Sequence, residues 1–254
     1  MDYDALLNVT TKIGFSLLEN GADIYRVEES IKRIFTAYGV KEGDVFAVPS
    51  CLIVTICTQE EYPITKIKRV YSKRNDLRKI ELLNNLCRKI CATTPDISDI
   101  YDELDSINNC KPYSLLFQTL GFSLVAFAFT LFYGGNIFDA LCAILAGAAV
   151  KIVYYNMERF QANTFFIIII SSATASLVAV FTVKLGLANN IDKITIGTLM
   201  NLVPGIVLTS FMRDVIAGDL FAGLTKFTEA ILIATAIAIG SGIVLTIFAS
   251  ANLL

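Results

Sequence analysis

Any chemistry in this chain has to come from a few polar groups set in long apolar stretches. The densest run is Asn201, Pro204, Gly205 and Thr209, followed at once by Arg213 and Asp214. Proline removes a backbone donor and crowds the carbonyl four residues back, and Gly205 loosens the backbone at the same point. A helix opened near mid-membrane survives only where protein or a water-filled cavity satisfies the freed groups. Open helix ends of this kind bind small charged or zwitterionic solutes. Asn201 lies one turn before Pro204 and Thr209 just over one turn after it, so both add hydrogen-bonding side chains to a substrate site. Arg213 adds positive charge at its mouth. The alternative is a plain proline kink packed against its neighbours.

A second constellation follows: Asp214, Asp219, Lys226 and Glu229. Asp219 can cap the next helix, and Ala222, Lys226 and Glu229 then share one face. Ionisable groups at the membrane edge are rare and mark function by default. Glu229 opens an apolar run reaching Ala249. A buried carboxylate there would have a raised pKa and could carry a coupling proton; Asp214 and Asp219 are the other candidates. The alternative is an ordinary loop with Lys226 and Glu229 paired at the interface. Asp139, at the start of an earlier apolar run, caps a helix or joins this set, and Lys151 is expected to snorkel to the inner surface.

Near the N-terminus, Tyr25, Arg26, Glu28 and Glu29 crowd the first turns of a helix that Asp23 can cap. Arg26 could pair with Glu29 or Ser30 on the same face, and the two glutamates suit a helix N-terminus. From physics alone a well-capped surface helix is the preferred reading of these residues. There are six cysteines and no histidine. Cys51 and Cys57 fall in a strand-like run and Cys87 and Cys91 sit one helical turn apart. Neither spacing is that of a zinc finger, so no metal or cofactor is expected. No nucleophile elbow or P-loop is present, which argues against an enzyme.

The elements that must position these groups follow from the charge pattern. Residues 1–112 hold 15 Lys+Arg and 17 Asp+Glu, whereas residues 113–254 hold six of each sign. The chain divides there into a charged head, 1–112, and a hydrophobic part, 113–254. A bilayer core of about 30 Å needs about 20 apolar residues per helix. Spans are expected near 114–133, 137–155, 163–184, 194–212 and 229–250. Small residues four apart predict packing seams at Ala143/Gly147, Ser172/Ser176, Ala175/Ala179, Ala236/Gly240 and Ala238/Gly242.

In the head, helical spacing covers 4–19 and 23–39, with Asn20-Gly21 ending the first helix. Period-two runs at Asp44–Val48, Leu52–Thr58 and Thr65–Val70 predict strands, the last two separated by Gln59–Pro63. Helices follow at Asp76–Cys91 and Asp96–Ser106. The expected architecture is an α-helical polytopic membrane protein of about five transmembrane helices, with an N-terminal α+β domain. The opening MDYDALLNVTTKIG has no basic region before an apolar run, so insertion is expected to rest on the later spans. Fifteen basic residues before the first span place the head in the cytoplasm of a plasma or inner membrane protein. A net charge of −2 argues against nucleic acid as a partner.

Three blocks, GADIYRVEESI (21–31), ITKIKRVYSKRNDLRKIELLNNLCRKI (64–90) and LVPGIVLTSFMRDVIAGDLFAGLTKFTEAILIA (202–234), resemble the threonine/serine exporter family in order and spacing. The resemblance implies a secondary transporter that exports small amino acids, driven by the proton gradient. Longer members carry a second hydrophobic half, so this chain resembles the split form. A second, smaller membrane subunit and a larger assembly are then expected, and a split pair of this type is associated with succinate export. The competing readings are a membrane-tethered hydrolase and a non-transporting scaffold or sensor.

Overall fold

The computed structural model describes residues 2–58, 62–71 and 74–250, so part of the expected Gln59–Pro63 connector lies outside the described residues. The chain forms two compact units. One contains the residues up to Lys111 together with Ser210–Thr225; the other contains Pro112–Thr209 and the residues from Lys226 onward.

In the first unit, α1 (Tyr3–Glu19) starts where the Asp2 carboxylate accepts the Ala5 N–H at 2.9 Å. Leu6, Val9, Ile13 and Leu17 recur at helical spacing, and all four are buried. Asn20 caps its end, and α2 (Ile24–Ala37) buries Val27, Ile31, Ile34 and Phe35. The strands β1 (Gly43–Val48), β2 (Cys51–Cys57) and β3 (Pro63–Arg69) form an antiparallel sheet in the order β1-β2-β3. Alternation puts Leu52, Val54 and Ile56 of β2 into the core. Then come α3 (Leu77–Thr93), capped by Asp76, and α4 (Ile97–Asn108). The N-terminal domain is thus a small three-stranded sheet with four helices. Its apolar core also takes in Ala222, from far along the chain.

In the second unit, α5 (Leu115–Phe132), α6 (Ile137–Arg159) and α7 (Thr164–Lys184) precede two short helices, α8 (Ile191–Leu199) and α9 (Gly205–Ile216), and the long α10 (Leu220–Ser250). Residues 210–216 of α9 and 220–225 of α10 belong to the first unit. Among the described residues, four helices (α5, α6, α7 and α10) are long and apolar enough to cross a membrane. The chain is therefore a polytopic helical membrane protein. The expected fourth span, 194–212, is not one helix: it breaks between Leu199 and Gly205. At 1.5 Å per residue, nine-residue α8 is about 14 Å long, well short of a bilayer core of about 30 Å. A count of apolar residues passes through the break, because every residue there except Asn201 is apolar.

The seams mostly form as spaced. Ala143, Gly147, Ser172, Ser176, Ala175, Ala179, Ala236 and Gly240 are all buried. A Cβ on Gly147 would sit 2.7 Å from the Phe122 carbonyl oxygen, so only glycine lets α6 approach α5 this closely. The pair Ala238/Gly242 instead lies on an outward face of α10, beside exposed Ile239 and Ile243. Two residues along a helix is about 200° of rotation, so only one of the two α10 seams can face inward.

Candidate functional site

The break begins where α8 runs out. Asn201 and Leu202 N–H groups donate to the carbonyls of Thr198 and Leu199 at 3.2 and 2.8 Å, a tightened last turn. Pro204 has no N–H to continue it. The Asn201 side-chain amide donates to the carbonyl oxygens of Phe122 at 3.1 Å and Thr198 at 3.2 Å. Asn201 therefore ties the break to α5. Gly205 is exposed at the start of α9. Thr209 does not join this group: its hydroxyl donates to the Gly205 and Ile206 carbonyls of its own helix, at 3.2 and 3.0 Å.

Lys151 was expected at the inner surface. Instead it is only 7% exposed, about 12 Å along α6 from Arg159. Its ammonium lies 5.0 Å from the ring centre of Phe122 and 5.5 Å from that of Tyr154. Val150, Ala175 and Leu202 pack as a buried cluster with Phe122, Tyr154 and Leu199 around it. No carboxylate lies within ion-pair distance of Lys151 among the described residues. A lysine at the centre of a membrane helix costs about 3 kcal/mol on insertion scales. A desolvated cation over an aromatic face recovers about 2 kcal/mol. The rings offset much of the cost, and Glu158, two turns further along α6, acts on the ammonium only electrostatically, without an ion pair. Three buried hydroxyls in the same unit, on Ser171, Ser176 and Thr195, also have no hydrogen-bond partner. Buried polar atoms in native structures are nearly always satisfied, so such groups mark places where a water or a ligand can bind.

Asp139 is fully buried and saturated. It forms a capping box with Asn136 and also accepts the Asn189 N–H at 2.7 Å, the Asn190 N–H at 3.1 Å and the Asn190 side-chain amide at 2.8 Å. It clamps the α7–α8 connection onto the start of α6.

The remaining sequence candidates fall elsewhere. Arg213 and Ser210 both donate to the Asp23 carboxylate, Ser210 at 3.3 Å. Asp23 begins α2 but makes no side-chain cap bond, because its carboxylate is engaged by α9. Asp214 is 2% exposed within the same unit. Asp219 caps α10, accepting the Ala222 N–H at 3.2 Å. Glu229, expected as a buried carboxylate, is exposed on α10. In the head, the Arg26 Nε donates to the Tyr25 hydroxyl at 2.9 Å and lies 3.8 Å from Asp23, rather than pairing with Glu29 or Ser30. Glu29 pairs with Arg33 at 2.6 Å, and Glu28 accepts the Ala47 N–H of β1 at 2.8 Å. Among the described residues no cluster of His, Cys, Asp or Glu could hold a metal ion.

Comparison with known proteins adds a family. A family model described as "Putative threonine/serine exporter" matches residues 8–248. A Mycobacterium tuberculosis (strain ATCC 25618 / H37Rv) protein named "Probable threonine/serine exporter" is 19% identical over 237 residues, covering 92% of this chain and 45% of that protein. The chain thus spans about half the length of that relative. No solved structure matches it.

Proposed function

Since the chain belongs to the threonine/serine exporter family, we propose that it forms one half of a secondary transporter that moves small carboxylate-bearing solutes out of the cell. The observation carrying this reading is Lys151: a buried cation with no carboxylate in ion-pair distance among the described residues, beside Val150, whose apolar cluster includes Leu199 at the end of α8 and Leu202 inside the helix break. In a low-dielectric interior such a charge attracts an anion strongly. In this reading the solute carboxylate meets the Lys151 ammonium. The peptide groups freed between Asn201 and Gly205 bind the rest of the solute, with Pro204 holding the helix open. Threonine, serine and a dicarboxylate such as succinate all present the carboxylate this site requires.

Proton coupling is assigned to Glu229 and Asp214, with Asp219 fixing the start of α10 between them. Glu229 is exposed on a helix that also exposes Phe227, Ile231 and Leu232, a surface suited to lipid or to a second membrane subunit. That subunit would supply the part of the relative that this chain does not cover. The 15 basic residues of the first 112 orient the head to the cytoplasm of a plasma membrane protein.

The test is efflux of radiolabelled threonine, serine and succinate from cells expressing this chain with the second half. K151Q and N201A are expected to lower efflux at least tenfold with membrane insertion intact. Normal efflux by both variants sinks the site.

A further inference from the structure

The soluble unit has a concavity of its own. Helices α2 and α3 enclose an open cleft of about 520 Å³, within the size range of small-molecule sites. Its lining includes Tyr25, Arg26, Glu29 and Arg33 of α2 facing Asn84 and Arg88 of α3. Positions 26, 29 and 33 fall on one stripe of α2, and 84 and 88 are one turn apart on α3, so both helices turn a polar stripe to the same space.

The charges in the cleft do not balance. Three guanidinium groups meet one carboxylate, Glu29, leaving two net positive charges. Glu29 is already committed to Arg33 at 2.6 Å. Arg26 leans on the Tyr25 hydroxyl and is 3.8 Å from Asp23, outside the cleft. Arg88 has no ion pair among the described residues. The floor is formed by Cys87, whose thiol burial pushes up to about 12, so it remains neutral and contributes no anion.

We propose that this cleft binds a small dianion bearing planar or tetrahedral oxyanion groups, a dicarboxylate or a phosphate. Guanidinium forks match both groups in bidentate geometry, which distinguishes arginine from lysine at such sites. Two net positive charges select a dianion over a zwitterion. The Asn84 amide supplies a neutral donor, and the Tyr25 ring closes the rim. Occupancy reaches α9 through one residue. Arg26 shares Asp23 with Arg213, so an anion that draws Arg26 into the cleft leaves Asp23 to Arg213 and Ser210 alone. The cleft is a place where the soluble unit senses an anion, separate from the Lys151 site.

The test is isothermal titration of the full chain in detergent at low chloride, with succinate, inorganic phosphate and threonine as separate probes. At least one dianion is expected to bind saturably, and at least tenfold more tightly than threonine. The titrations are run on K151Q, which removes the carboxylate site of the membrane helices, and adding R33Q/R88Q to that background is expected to weaken dianion binding at least tenfold. Preference for succinate over phosphate, or the reverse, assigns the source of the anion. Both changed arginines are solvent-exposed, and an unchanged melting temperature in R33Q/R88Q separates lost binding from lost fold. The proposal is overturned if neither dianion binds saturably, if threonine binds equally well, or if R33Q/R88Q binds like the parent. If K151Q alone abolishes dianion binding, the cleft reading falls and the transport site stands.

Discussion

Arg213 donates to the carboxylate of Asp23, a residue 190 positions earlier in the chain. Asp23 is largely buried and Arg213 half exposed, so the pair is worth up to about 1 kcal/mol after solvent screening. Its importance is geometric: it fixes the end of α9 to the start of α2.

D23N and R213Q should each lower efflux while changing stability little. The charge-swapped pair D23R/R213D should recover part of the lost transport, because the swap restores the attraction with reversed polarity. Transport by the double variant no better than by either single one would show that the pair itself is not the requirement.

Lys151 predicts opposite effects on stability and function. Replacing a buried charge that has no ion-pair partner by an apolar side chain of similar volume removes a desolvation cost. K151M should therefore raise the melting temperature of the purified protein and abolish efflux, while K151R retains part of the transport. A lower melting temperature in K151M would mean that the ammonium holds the fold together, and the binding role would lose its support.

Asp139 should behave as the reverse case. D139A leaves the part-buried N–H groups of Asn136, Asn189 and Asn190 without their acceptor, and a fully buried orphan costs about 1–3 kcal/mol, the upper limit for each here. The expected outcome is loss of folded protein from the membrane fraction. A well-folded, transport-inactive D139A would reassign Asp139 to the transport chemistry.

Thiol chemistry gives a readout of the first unit. Burial raises the Cys87 thiol to about 12 and also raises that of Cys91. The thiolate is the reactive form, so both should alkylate slowly at pH 8 in the native protein and quickly once unfolded. The sign for stability follows from the same shift. An unfolded thiol ionises near 8.5, so the contribution of neutral Cys87 is complete below that pH and is lost as pH rises toward 12. Fast labelling of native Cys87 at pH 8 would contradict the burial.

Much of this fold is legible in the sequence because the signals are local. The strand alternation at 52–56 and the helical spacing of Leu6, Val9, Ile13 and Leu17 each report a face. Pro204 marks the helix break, although a hydropathy count alone reads 194–212 as one span. What escapes is rotation and long-range pairing. Lys151 snorkels or turns inward according to which side of α6 meets α5, and that choice rests on Gly147 fitting against the Phe122 carbonyl. Asp23 has the spacing of a helix cap, and only the folded chain reveals that Arg213 and Ser210 take its carboxylate. The two candidate seams of α10 are equally small in sequence, and packing uses the one at Ala236 and Gly240.

Ala222 lies in the core of the unit built mainly from the first 111 residues. That placement has a consequence for biogenesis. During synthesis, α5, α6 and α7 emerge before the residue that completes this core. The N-terminal unit must wait, incomplete, while those helices enter the bilayer, and it closes only after the ribosome has passed Thr225. Closure of the N-terminal unit and membrane insertion in this protein are one interleaved process.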